Sequence, residues 1–252
     1  MPAISLPVTT ALANALATEP GRPLITHYDI TSGERIELSV KTFDNWVSKI
    51  ANLLGDDLGL EAGQGIRVEL PPHWQSTVTV VAAWAAGLRL VAQDASSPED
   101  VSVVGPAALH TADTRPAGVV IACSLRPLAG AFVDPLPAGW LDFAREVPGQ
   151  PDLLLLHQPT SGRDVALEQA NGTVTHAELA RMGLSAAERL GLRAGGRLIT
   201  DANPADPTGL VNTLVAPLVT GSSVVLVVGA DASTRTRITE QEQADCVLWL
   251  DG

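Results

Sequence analysis

The sequence predicts an α/β protein: a single domain, 1–252, made of two related halves, 1–150 and 151–252. Three observations carry this. The stretch 59–68, GLEAGQGIRV, returns at 191–199 as GLRAGGRLI. Its flanks return in the same order: LSVKTF (38–43) and TVTHAEL (173–179) each lead into an apolar helical pattern, and VAAWAAG (81–87) is answered by LVAPLVTG (214–221). A repeated order of strand, helix, glycine turn, strand, helix and strand is the pattern of paired α/β units. Finally, the chain is 46% hydrophobic but only 4% aromatic, so the core must be built from Val, Leu and Ala.

The elements follow from local signals. Residues 7–18 read as a short amphipathic helix. Residues 23–28 and 36–40 are strands joined by a glycine-containing turn over 29–34. Thr42 is placed as the N-cap of a helix in which Phe43, Trp46, Val47, Ile50, Leu53 and Leu54 recur at helical spacing. Gly59 and Gly63 end and turn that helix. Residues 66–70 form a strand stopped by Pro71 and Pro72, 74–86 an apolar helix ended by Gly87, and 88–91 the next strand. Strands are read at 101–105 and 117–122, a loop at 127–137 and a helical turn or two at 141–147. The stretch 148–152 holds two prolines and a glycine and is the best internal boundary.

The second half opens with LLLLH (153–157), read as a buried strand. A hairpin over 165–169 and 172–175 follows, then a helix at 177–190, a strand at 198–200 and a helix at 210–218. Residues 222–228 are a β-branched strand, 234–243 a helix and 246–250 a last strand. That strand presents a C-terminal sheet edge, an expected surface for a protein partner or a second copy of the chain.

Composition excludes several classes. A formal charge of −12 and a pI near 4.7 disfavour nucleic acid and anionic membranes as partners. Cys123 and Cys246 are two distant thiols in apolar runs, which is neither a disulfide framework nor a zinc cluster. The N-terminus lacks the pattern of a signal peptide. No run reaches the roughly 18 apolar residues that a membrane span requires. These features suggest a cytoplasmic protein. The two lysines, Lys41 and Lys49, lie on the first long helix and are read as a solvated face. His27, His73, His110, His157 and His176 show no metal-ligand spacing, so no metal site is expected. No G-x-S-x-G elbow occurs, and the glycines around 191–196 are a helix stop rather than a dinucleotide loop. Trp46, Trp74 and Trp84 fall on apolar helical faces and are read as core.

The segments 38–46, 60–71, 83–91 and 210–226, in their order and wording, resemble the N-terminal half of the large domain of adenylate-forming (AMP-binding) enzymes. These are the acyl-CoA synthetases, nonribosomal peptide adenylation domains and luciferases. The resemblance implies the first part of that N-terminal domain as the fold, with its two related α/β subdomains, and ATP or AMP with Mg2+ as cofactors. Family members carry a Ser/Thr/Gly-rich phosphate loop ending in lysine, in which small residues let backbone N–H groups reach phosphate oxygens.

Here the corresponding place reads Thr160, Ser161, Gly162, Arg163, Asp164. The first three residues fit; the second Thr-Gly, the proline and the lysine are missing. Arg163 supplies one positive charge and Asp164 offsets it. His176 matches the histidine that follows this loop in the family. Thr160, Ser161, Gly162, Arg163 and His176 are therefore candidate, degenerate phosphate contacts, and no residue is assigned a catalytic role. The magnesium-holding acid, the ribose-binding aspartate and the small C-terminal domain with its lysine have no counterpart in this sequence.

Two functions are expected from this. One is a non-catalytic relative that binds a small molecule, a nucleotide or acyl group, or serves as a scaffold. The other is half of a split ATP-dependent ligase of the acid–thiol, AMP-forming type, which needs a partner chain.

Overall fold

A computed structural model describes residues 6–110, 118–155 and 160–250. In chain order the elements are α1 (Thr9–Thr18), β1 (Pro23–Asp29), β2 (Glu34–Ser39), α2 (Val40–Asn52), β3 (Gly65–Glu69), α3 (Trp74–Ala85), β4 (Arg89–Val91), β5 (Val101–Val104), β6 (Val119–Ala122), β7 (Trp140–Asp142) and α4 (Phe143–Glu146). There follow β8 (Val165–Gln169), β9 (Gly172–Thr175), α5 (His176–Leu190), β10 (Arg197–Thr200), α6 (Pro207–Gly209), α7 (Ala216–Thr220), β11 (Ser223–Val228), α8 (Ala232–Gln241) and β12 (Cys246–Leu248). Apart from the 153–157 strand and β7, which takes up the start of the stretch read as a helical turn or two (141–147), the elements fall close to where the sequence signals place them. Gly87 (φ 78°) ends α3 and Gly221 (φ 65°) ends α7 in the left-handed conformation, which glycine adopts without a Cβ penalty. The α2 cap is one correction: Ser39 Oγ, not Thr42, accepts a backbone N–H, that of Thr42, at 3.1 Å.

The chain forms two compact units, and they do not divide at residue 150. Unit 1 comprises Met1–Asp44, Pro72–Trp74 and Ala177–Gly252; unit 2 comprises Asn45–Pro71 and Gln75–His176. Strand pairing sets this division. Unit 1 holds a five-stranded sheet in the order β12-β10-β11-β1-β2. Here β1 pairs parallel with β11, from Ile25 opposite Val224 to Asp29 opposite Val228, so the first strand belongs with nearly the last. Tyr28, Ile199, Val225 and Val227 pack with Ile238 of α8.

Unit 2 holds a seven-stranded sheet in the order β7-β6-β5-β3-β4-β8-β9. Its members β5-β3-β4-β8-β9 reproduce the layout of the unit 1 sheet. In each, two parallel strands joined by helix lie beside an antiparallel hairpin on one side and a third parallel strand on the other.

Two further expectations fail in unit 2, for one reason. The stretch 148–152 is not a loose boundary, and Lys49 is not on a solvated face. The Lys49 side chain is one-fifth exposed. Its Nζ donates to the carbonyls of Pro148 (2.9 Å) and Gln150 and pairs with Asp152 Oδ1 at 2.9 Å. Asn52 continues the clasp: its Nδ2 donates to the carbonyls of Pro151 (3.1 Å) and Leu153 (2.9 Å), and its Oδ1 accepts from Leu155 N (3.0 Å). One side chain thus takes the backbone groups a sheet neighbour would otherwise use. Residues 153–155 are consequently not a strand, and Leu153 is 72% exposed. Leu156 and His157 lie outside the described residues.

Candidate functional site

The degenerate phosphate loop lies in unit 2, just before β8. Residues Ser161 to Asp164 close on themselves. Asp164 Oδ2 accepts the Ser161 backbone N–H at 2.7 Å, and the Asp164 N–H donates to the Ser161 carbonyl at 3.1 Å. The Ser161 hydroxyl accepts the Arg163 N–H at 3.1 Å. In a phosphate loop these amides face the anion; here a carboxylate of the same turn already holds the Ser161 amide. Thr160 is turned away as well, its Oγ1 donating to the Trp84 carbonyl at 2.7 Å. Gly162 is buried and the Arg163 side chain exposed.

His176 joins this group through its backbone, donating its N–H to the Asp164 carbonyl at 3.0 Å. Its ring does not reach outward. It is 1% exposed and stands edge-on to Trp84, with centroids 5.8 Å apart at 77°. Burial lowers its pKa to about 4, against the opposing pull of the Asp164 charge, so the imidazole is neutral at neutral pH.

Trp84 organises the region: besides accepting from Thr160, its indole N–H donates to the Ala166 carbonyl at 2.9 Å. Trp84 is core, as its apolar helical face predicts, and it also fixes the loop, which the helical pattern does not reveal. The available signal is that a buried indole needs a partner for its N–H.

Beside the loop opens a cleft of about 610 Å3, lined among others by Thr160, Arg163, Asp164, Arg89, Glu168 and Thr173. Arg89 Nε pairs with Glu168 Oε2 at 2.8 Å and its guanidinium also meets the Gly63 carbonyl. Ser97 donates to the other Glu168 oxygen. Ser97 and Arg89 hold the Glu168 carboxyl below its ordinary pKa. Sequence reading missed this pair, although a lone Arg and a lone Glu in short apolar strands call for each other. The named side chains of the cleft carry two arginines and two carboxylates. They offer a triphosphate no excess positive charge, and Asp164 would stand against it. The five candidate residues are thus gathered about one turn, but Thr160 and His176 point into the protein and the Ser161 amide is taken. This arrangement does not fit ATP with Mg2+.

Comparison with known proteins places the chain. No protein-family model matches it. A protein of Mycobacterium tuberculosis (strain ATCC 25618 / H37Rv), described as a TIGR03089 family protein, is 35% identical over 242 residues, covering 92% of this chain and 94% of that protein. The chain belongs to the TIGR03089 family.

Among solved structures, the Brucella canis acyl-CoA synthetase matches 98% of this chain at a TM-score of 0.79 and 20% identity, covering 48% of that chain. The anthranilate CoA ligase AuaEII, in complex with anthranoyl-AMP, matches 93% at 0.71 and 16% identity, covering 47% of its own length. The nonribosomal peptide synthetase FmoA3, in an AMPPNP-bound form, matches 97% at 0.68 and 19% identity, covering 25%. This TIGR03089 family member therefore has the fold of the adenylate-forming enzyme N-terminal domain. It spans about half the length of the first two structures. Among the described residues no helix is long and apolar enough to cross a membrane.

Proposed function

We propose that this TIGR03089 family member is a non-catalytic relative of the acyl-CoA synthetases and adenylation domains, which binds a small molecule without a polyphosphate group or acts as a scaffold. The observation that carries the reading is the Asp164 carboxylate seated on the Ser161 amide. An internal anion holds the donor that a nucleotide phosphate would need, and a like charge there repels the ligand. The balanced charges of the neighbouring cleft, and the engagement of Lys49 with 148–152, support it. For the scaffold role the support is β12, the edge strand of the unit 1 sheet. Val247 is 47% exposed and Leu250, just beyond it, 58%. An open edge of this kind is a template for a protein partner or a second copy.

Calorimetry with ATP, with and without Mg2+, and with AMP tests the proposal. No heat is expected at millimolar nucleotide. Asp164→Ala, which frees the Ser161 amide and removes the repelling charge, should move ATP binding toward the measurable range. Micromolar ATP binding by the unaltered chain, weakened by Ser161→Ala and Arg163→Ala, would overturn the reading in favour of a split ligase.

A further inference from the structure

We propose that His27, Glu34 and His73, all within unit 1, form a site for a divalent transition metal of the zinc class. The β1–β2 register builds two-thirds of it. His27 lies opposite Ile36 and Asp29 opposite Glu34. Opposed residues share a face of the sheet and alternate residues of a strand return to it, so His27 and Glu34 are diagonal neighbours on one side. The short segment Pro72–Trp74 brings His73 to the same place. His27 Nδ1 lies 3.9 Å from Glu34 Oε2, and His73 Nε2 lies 3.7 Å from the same oxygen. The two rings stand 4.5 Å apart at 65°. One donor atom from each residue falls within 4.8 Å of the others.

Metal–ligand distances of about 2.0–2.1 Å in a tetrahedron set donor atoms roughly 3.3 Å apart. The two measured pairs reach that spacing by moving a few tenths of an ångström, within the range of small side-chain rotations. Two imidazoles and one carboxylate suit zinc and its neighbours, and do not suit magnesium or calcium, which take oxygen donors.

A second observation points the same way. His27 is 1% exposed, and neither of its ring nitrogens has a hydrogen-bond partner among the described residues. The Pro72 backbone stands near the ring without making a hydrogen bond of regular geometry. Buried polar atoms are nearly always paired, and a metal on Nδ1 supplies the missing partner. Asp29 is not available as a ligand through Oδ1, which accepts the Thr31 and Ser32 amides at 2.8 and 3.3 Å. Three protein donors leave a fourth position for water or a small anion.

The test uses the full chain, stripped with EDTA, titrated with Zn2+ by calorimetry and with Co2+ by visible absorption. One equivalent of each is expected to bind, Co2+ with the intense bands of four-coordination, and excess Mg2+ should not compete. Glu34→Gln and His73→Gln should each weaken Zn2+ binding by at least about tenfold. NMR of the unaltered chain makes the test independent of how the variants fold: Zn2+ should shift the imidazole signals of His27 and His73 and leave those of His110 and His176 in place. The proposal is overturned if one equivalent fails to bind, if affinity is unchanged in either folded variant, or if the His27 and His73 signals do not move.

Discussion

Replacing His176 with leucine should remove one proton from the pH dependence of stability. In the folded chain the buried ring titrates at about 4, against an ordinary value of 6.5. Between those values the unfolded chain holds a proton that the folded chain refuses. The stability tied to neutral His176 is therefore present in full above about pH 6.5 and has been lost once the pH falls to about 4. Each pH unit in that window is worth about 1.4 kcal/mol for a single proton, so the whole interval amounts to about 3 kcal/mol. Leucine keeps an apolar side chain against Trp84 and cannot titrate. Urea unfolding at half-unit pH steps from 4 to 7.5, in EDTA, gives the two curves. Other groups contribute equally to both, so the difference in slope isolates His176. A gap of about 1.4 kcal/mol per pH unit near pH 5 is expected. Parallel curves would refute the argument, because the ring would then have to be solvated or protonated in the folded protein.

Two predictions concern stability alone. Gly209→Ala should cost about 3 kcal/mol by thermal unfolding, because a Cβ there would overlap the Asn203 carbonyl oxygen, and backbone overlap outweighs the gain of about 1 kcal/mol from alanine's helix propensity. Gly149→Ala, where a Cβ meets nothing within 4 Å, should be neutral or slightly stabilising, and equal losses at the two sites would contradict this account. Tyr28→Phe should cost about 2 kcal/mol in urea unfolding. The phenol donates to Glu242 and accepts from Arg35 Nε at 2.9 Å, and Glu242 also pairs with Arg197. Unchanged stability would mean that the network is solvated.

Local chemistry was legible, and distant pairing was not. The β1–β2 hairpin is written in the apolar residues of β1, the alternation of Ile36 and Leu38 in β2 and the turn around Asp29 and Gly33, and α3 in the apolar residues that run from Val78 to the stop at Gly87. Asp164 could be read as hostile to phosphate because its charge sits in the motif itself. By contrast, nothing near Leu153, Leu154 and Leu155 says that Asn52, a hundred positions earlier, takes their backbone groups. An apolar run alone therefore pointed to a strand that does not form. Lys49 is illegible for the same reason, since its partners at 148–152 are remote in sequence. His27 and His73 lack ligand spacing because their proximity comes from a strand register and a returning segment rather than from one helix. The interleaving of the two units depends on β1 choosing β11, a preference no window of sequence contains.

That choice bears on how the protein is made. Unit 2 comes from a nearly continuous stretch of the sequence, between the segments that make up unit 1, and it can close once His176 has left the ribosome. The β1–β2 hairpin has no such option. It emerges long before its partner: Ile25 pairs with Val224, and translation must add roughly two hundred residues before that strand appears. Throughout that delay one flank of β1, rich in apolar side chains, is an open edge. The nascent polypeptide therefore carries an unpaired apolar strand through most of the synthesis of this fold. A chaperone that shields β1 until β11 has been made should raise the yield of native protein.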